Sequence, residues 1–526
     1  MQVRFLPGAC IRFALASAGS RASTRFGQLP CYGPAVLVSE STLEAPRSVN
    51  TPTHAGPGQA VPAPWTLRSF MRRRPWWSTA IGITLLSTVL VFWAQTRPGF
   101  DPYGWLVWGH QTLKGTLDTN AAPSWKPLPY LFTVPYALAG HYELRLWMIT
   151  SAAVALAGVV FAGRITYRAV APPPDRRWAG ICAAVFAGVA LLGLEDYFHY
   201  ILSSQSDPMI VTLCLAAIDC HLYKRPRAAF VLGVLAALGR PEVWPFVALY
   251  SLWLWVKLPR TRILVAAGWV VIVALWFGIP ALTARSPFVA ATNALGSGRR
   301  LTSDKIFGTV GRFLGLNEAP IALAALLAVV IAVIRRDRLT LALAAGIVLW
   351  VCVEIAFALH GWPGLARYMF EAGGVVAVLA GIAVGRLLID RPPWPGVPGW
   401  AGAAVVAVLV LSLLPAALSH ARAEHKDLHE QHARTAEIND LTTAIDQLGG
   451  VARLRACGEP LTRLQYQTML AYTLKDNVSK VGFKYGQAIA RGNPIVLFTP
   501  FPSGVGWVIQ AMHQTNPACK SLPQAS

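Results

Sequence analysis

Carboxylates are scarce in this chain: 25 Asp and Glu stand against 46 Lys and Arg, and charged residues make up only 13% of its 526 positions. Ordinary soluble domains carry about 25% charged residues, so a soluble globular surface is excluded. Cysteine is sparse as well, with 8 in all, and no metal-ligand spacing appears among them. GxxxxGK[ST], HExxH and GxSxG are missing, which leaves ATP-driven transport, zinc proteolysis and serine hydrolysis without support.

What is plentiful is hydrocarbon. Hydrophobic residues are 54% of the chain and the mean hydropathy is +0.46, values of an α-helical polytopic membrane protein. A spanning helix needs about 20 apolar residues. Apolar runs fall near 77–95, 145–163, 178–194, 208–222, 228–239, 243–256, 263–283, 320–334, 339–359, 368–389 and 400–418, giving about eleven candidate spans. Lys and Arg clusters at 72–74, 164–177, 224–227, 257–262, 335–338 and 386–391 all fall on one side if the first span runs outward. Short basic loops are retained in the cytoplasm. The formal net charge of +21 therefore follows from loop bias and anionic headgroups, and no nucleic-acid partner is expected. Both KRPR at 224 and KLPR at 257 belong inside, so the chain must turn between them, at Gly239-Arg240-Pro241-Glu242, where Pro241 breaks the helical ladder.

Three regions follow. Residues 1–70, rich in Pro, Ser, Ala and Gly, read as a disordered extension or as sequence upstream of a start at Met71, and Arg12 interrupts the only stretch resembling a signal core. Residues 71–420 form the multi-span domain, with external loops at 96–144 and 284–319. Residues 421–526 form a small external α+β domain, with a helix over RTAEINDLTTAIDQL and strands at VARLRAC and NPIVLFTPF. Its only cysteines, Cys457 and Cys519, can pair in an oxidising exterior.

Ionisable residues collect on the outer face, among them Asp101, Asp118, Lys126, Asp207, Arg240, Glu242, Arg299, Arg300 and Arg367, with Glu354 about two turns inside. Such residues mark a site by default. Trp105, Trp108 and Trp125 have two readings, a sugar-stacking platform or an interfacial aromatic belt, with the order of 101–117 suggesting a helix lying in the interface.

Layout and four stretches give the chain a resemblance, over roughly 71–420, to the GT-C class of integral-membrane glycosyltransferases that use polyprenyl-phosphate sugars, including bacterial mannosyl- and arabinosyl-transferring enzymes. The stretches are Phe100-Asp101-Pro102-Tyr103, Ser124-Trp125-Lys126-Pro127-Leu128-Pro129, the Arg240-Pro241-Glu242 turn and Arg367-Tyr368. The resemblance implies a GT-C-like core in a bacterial cytoplasmic membrane, N-terminus inside and C-terminal domain outside. It implies a polyprenyl-phosphate sugar donor, membrane lipid and an envelope glycan, lipid or protein as acceptor. Asp101 is the expected base for the acceptor hydroxyl, or else a helix cap. Lys126, Arg240, Arg299, Arg300 and Arg367 are the expected phosphate ligands, Arg240 foremost; Glu242, Trp105 and Trp125 complete the substrate-binding set. Arg240 has a second reading, an ion pair with Glu242 or Glu354 that locks helices together. Many members carry two adjacent acids where this chain has Phe100-Asp101; no metal ligand is assigned, and a divalent metal stays open. A transporter or flippase of an envelope precursor is the alternative, or a scaffold with an external binding domain. A transporter would place charge near the midplane of several spans, whereas here Asp219 and Glu354 are the main exceptions.

Overall fold

The computed structural model describes residues 75–526 apart from 297–300, 302, 391–397, 399, 502–505, 521 and 524–526. The extension expected over 1–70, and Arg299 and Arg300, lie outside the described residues.

The eleven apolar runs all form helices. In chain order the helices are α1 (Pro75–Ala94), α2 (Phe100–Leu113), α3 (Pro127–Tyr136), α4 (Glu143–Val170), α5 (Arg177–Leu192), α6 (Tyr197–Leu202), α7 (Asp207–Leu222), α8 (Pro226–Gly239) and α9 (Trp244–Lys257). Then come α10 (Arg262–Val273), continued by a π turn into α11 (Ile279–Thr283), and α12 (Val289–Leu295), α13 (Lys305–Leu314), α14 (Ala319–Arg335), α15 (Arg338–Leu359) and α16 (Phe370–Ile389). The last are α17 (Ala401–Gln447), α18 (Gly450–Ala456), α19 (Gln467–Thr473) and α20 (Tyr485–Ala490). Proline stands in the first turn of α3, α7, α8, α9, α11 and α14, where its missing N–H costs nothing.

Six helical stretches among the described residues are long and apolar enough to cross a membrane, and a seventh results if the bent pair α13–α14 counts as one. The chain is a multi-pass membrane protein. The expected eleven is not reached by that measure, because α5 and α7 have 16 residues and α8 and α9 have 14, about 24 and 21 Å of rise.

α16 is the hub. It packs against α4, α5, α7, α14 and α15, and its small residues allow the approach: a Cβ on Gly381 would lie 2.8 Å from the Ala183 carbonyl oxygen, and one on Gly385 2.5 Å from Val170 Cγ2. Close backbone contact through Gly and Ala is how helices associate where lipid offers no hydrophobic contrast.

Two readings, of the C-terminal region and of α2, are corrected. VARLRAC is helical, Val451 to Ala456 lying in α18 with Cys457 as its cap residue, after Gly449 and Gly450 at positive φ have ended α17. The chain then forms a three-stranded sheet, β1 (Glu459–Thr462), β2 (Ile495–Pro500) and β3 (Trp507–Met512), with β1 parallel and β3 antiparallel to the central β2. Cys457 and Cys519 form a disulfide. Helix α2, expected in the interface, is buried on both sides. Trp105, Trp108 and Trp125 are fully buried, so they form neither a belt nor an open platform. Trp105 meets Trp147 edge-on, Trp125 packs on Trp108 and Tyr130 with its Nε1 donating to the Leu275 carbonyl (2.9 Å), and Tyr103 packs on Tyr472 of α19. No local pattern announces this, because part of the partner surface comes from far along the chain, Leu275 standing 150 residues from Trp125 and α19 supplying Tyr472 to Tyr103.

The C-terminal region grips the α2 segment at several points. Thr468 Oγ1 donates to the Phe100 carbonyl (2.6 Å), Arg434 Nη1 to the Pro98 carbonyl (2.8 Å), and Ser479 Oγ to Asp118 Oδ2 (2.6 Å). A Cβ on Gly104 would lie 2.0 Å from Pro123 Cδ and 3.3 Å from Thr468 Cγ2. Gly104→Ala should therefore cost about 2 kcal/mol by overpacking, read as a lower thermal midpoint in detergent. Gly82→Ala, on a lipid-facing stretch with nothing within 4 Å, should leave the midpoint unchanged or raise it.

Candidate active site

Several of the helix ends that the charge pattern assigns to the outer side contribute to one cluster. Phe100-Asp101-Pro102 starts α2, Lys126 precedes α3, Asp207-Pro208 starts α7, Arg240 follows α8, and Arg367 stands one turn before Glu371 in α16. The turn at 239–242 arises as the sequence requires: α8 stops at Gly239, Arg240 is extended (φ −152°, ψ 134°), and Pro241 opens a 3₁₀ turn.

Asp207 lies at the middle. Its carboxylate pairs with Arg240, and it lies 4.0 Å from Lys126 Nζ through Oδ1 and 4.0 Å from Arg367 Nη1 through Oδ2. Arg240 reaches further, with Nε 3.7 Å from Glu371 Oε1 and Nη2 donating to the Arg367 carbonyl (3.2 Å). Its guanidinium lies 4.4 Å from the Tyr368 ring centre. Arg367 in turn is 4.0 Å from Asp101 Oδ2 and 5.6 Å from the Tyr200 ring centre. Lys126 Nζ donates to Ser206 Oγ (3.3 Å) and sits 5.9 Å over the Trp105 ring.

Exposure divides these groups into two layers. The side chains of Asp101, Arg367 and Lys126 are 19%, 17% and 16% exposed, whereas those of Arg240, Asp207 and Glu371 are 3%, 0% and 2%. Glu242 and Glu354 are buried with the second set. The outer three can meet a ligand; the inner groups hold them in place. Arg240, expected foremost among the phosphate ligands, is turned toward Asp207 and the backbone of Arg367. Its ion pairs are with Asp207 and Glu371 rather than with Glu242 or Glu354.

Arg367 Nε, Asp207 Oδ2 and both oxygens of Glu354 lack a hydrogen-bond partner among the described residues. A guanidinium of the accessible layer with a spare donor has capacity for an oxyanion. Lys126 is pushed down to about 7, chiefly by burial and then by Arg240 and Arg367, against the opposing pull of Asp101 and Glu242. Asp118 stands apart. It accepts from the Asn120 N–H (2.9 Å) and from Ser479, a turn residue tying the loop to the C-terminal region. Burial raises its pKa, but the bonds from Ser479 and Asn120 outweigh that and hold it below the usual range.

The structure brings together Asp101, Lys126, Arg240, Glu242 and Arg367 from the expected set, with Trp105 and Trp125 as packing beneath them. It adds Asp207 and Glu371 as direct partners. Asp207 had a legible signal, since Asp207-Pro208 repeats the Asp101-Pro102 helix start. Glu371 had one too, as an acid one helical turn beyond an Arg inside an apolar run. No group of three His, Cys, Asp or Glu side chains converges as a metal-ligand set among the described residues. Asp207 already faces three cations, so no step below runs through a metal.

Removing one partner of a buried ion pair leaves the other uncompensated. Asp207→Ala should cost about 3–5 kcal/mol of stability, measured by thermal unfolding in detergent, whereas Asp101→Ala at the accessible layer should cost less than 1 kcal/mol.

No family model matches the chain, and no curated protein matches it. Two crystal structures of ArnT from Cupriavidus metallidurans, one bound to undecaprenyl phosphate and one in the apo state, are similar to it. Each is 16% identical, with 82% of this chain and 94% of the other covered and a TM-score of 0.48.

Proposed function

We propose that this protein is a GT-C-like glycosyltransferase of a bacterial cytoplasmic membrane, its site facing outward, moving a sugar from a polyprenyl-phosphate donor to a hydroxyl of an envelope glycan, lipid or protein. The observation that carries the reading is the accessible layer: one carboxylate, Asp101, 4.0 Å from one guanidinium, Arg367, with Lys126 on the other side of Asp207. Transfer from a lipid phosphate needs a base for the incoming hydroxyl and cations for the departing phosphate, and it needs them at the membrane surface where the lipid head lies.

Asp101 accepts the proton of the acceptor hydroxyl as its oxygen attacks the anomeric carbon. The bond from that carbon to the phosphate oxygen breaks, and the polyprenyl phosphate leaves with the additional negative charge on Arg367 and Lys126. Arg240 acts through Arg367, fixing its backbone carbonyl, and Asp207 keeps the three cations from repelling one another. A flippase reading is less well supported, since the charged groups gather at one end of the helices rather than near their middles.

Sugar transfer by the purified protein in lipid, with a panel of radiolabelled polyprenyl-phosphate sugars and envelope extracts, tests the reading. Asp101→Asn should lower the rate about 10²- to 10⁴-fold and Arg367→Ala about 10²- to 10³-fold, at equal thermal midpoints. Wild-type rates in both variants would sink the assignment.

Lys126 gives the pH dependence. The donor is a phosphodiester whose charge is constant near neutrality, so only the enzyme titrates. Below about 7 Lys126 carries its proton and grips the donor; above that, binding must take up a proton, and affinity should fall by about tenfold per pH unit. Donor binding measured on either side of neutrality should show this slope, and Lys126→Arg should flatten it.

A further inference from the structure

At the end of the helices opposite the catalytic cluster, two short hairpin turns meet around a cavity of about 650 Å³. The turn between α7 and α8 supplies Lys224, Arg225 and Arg227, and the turn between α9 and α10 supplies Lys257 and Arg260. Five cations and no carboxylate line it.

Basic loops on an inner face are expected, so the comparison that matters is with the other cations of the same face. Arg164 pairs with Asp219 (3.2 Å), Arg176 with Asp175 (3.9 Å), Arg335 with Asp390 (2.5 Å) and Arg386 with Asp337 (3.5 Å). None of the five cavity cations has an ion pair with an acid among the described residues. Asp219, the acid whose field reaches Arg225, is already bonded by Arg164 through Nε and Nη2. The neutralising acids of this face stand beside Arg164, Arg176, Arg335 and Arg386; Arg177, Arg336 and Arg338 also lack an acid partner among the described residues, but at the cavity five such cations line one concave surface.

Two further features bear on what fits. α8 and α10, of 14 and 12 residues, both begin at the cavity, through Pro226 and Thr261, so two positive helix ends add to the side chains. The flanks are apolar and outward-facing, with Trp255, Val256 and Ile263 exposed, the last 86%. Arg262 lies over the Trp255 ring at 5.4 Å. A ligand held here would have anionic groups at the turns and hydrocarbon along α9 and α10.

We propose that this cavity binds the headgroup of an anionic phospholipid of the inner leaflet, and that a lipid with two phosphates, of the diphosphatidylglycerol type, fits it best, one phosphate at each turn. The site lies at the other end of the spans from the transfer chemistry, so it stands or falls apart from the proposed function.

The test is native mass spectrometry of the full chain in detergent, titrated with diphosphatidylglycerol, phosphatidylglycerol and phosphatidylethanolamine. The wild type should retain the two-phosphate lipid at least about tenfold more tightly than the zwitterionic one. The variant Lys224→Gln/Arg227→Gln/Arg260→Gln should lose that preference. The variant Arg177→Gln/Arg336→Gln/Arg338→Gln, which removes as many charges from the same face, should keep it. Equal retention in the two triple variants, or equal retention of all three lipids by the wild type, overturns the proposal. Two measurements need only the unaltered chain. Added salt should weaken retention of the two-phosphate lipid, and indifference to salt overturns the proposal. Displacement of the bound lipid by free glycerol phosphate at matching concentration would assign the cavity to a soluble phosphate and also overturn it.

Discussion

The buried carboxylate of Asp207 is the constraint around which the outer end of this protein is built. Three cations within 4.0 Å of one another's partner could not share a low-dielectric pocket without an anion between them, because Coulomb repulsion grows as water is removed. Asp207 is fixed by its place at the start of α7, Arg240 is fixed by Asp207, and Arg367 is fixed by the Arg240 contact to its carbonyl. The order in that series runs from the protein interior outward. It explains why the accessible groups, Asp101, Arg367 and Lys126, occupy defined positions although each is on or beside a loop.

Packing makes the series rigid. The 3₁₀ turn leading into α16 carries Arg367 and the first turn of α16 carries Glu371, and the small residues of α16 let α4, α5 and α7 come close. A catalytic constellation needs placement within a fraction of an ångström, which is more readily met on packed helix ends than on free loops. The same logic applies to α2. Its aromatic residues are a wedge between the spans and the C-terminal region, and Asp101 is set at the tip of that wedge.

Much of this was legible in the sequence. Apolar runs give the helices, basic loops give their alternation, and KRPR and KLPR force the turn at Gly239–Glu242. Asp101, Lys126, Arg240 and Arg367 were visible as charges at helix ends. What was hidden came from distant parts of the chain. The burial of this segment draws on Leu275, which accepts from Trp125, and on α19, which packs on Tyr103, and no local pattern announces either. VARLRAC alternates well enough for a strand, and only its setting after α17 makes it helical. The exchange of Arg240 from ligand to support has the same origin, since its depth is decided by Asp207 and Glu371 from two other helices.

α17 has one more consequence. It runs for 47 residues with Pro415 inside it, about 70 Å, from the apolar stretch at its start past the edge of the sheet, where Trp507 Nε1 donates to the Glu437 carbonyl (2.7 Å). Along the way His199 meets Asp427 at 2.8 Å, Glu318 meets His420 at 2.8 Å, and the Arg97 N–H donates to Thr435 Oγ1 at 2.9 Å. A strut bolted at so many heights does not pivot. The sheet at its far end is thus a fixed wall rather than a swinging door.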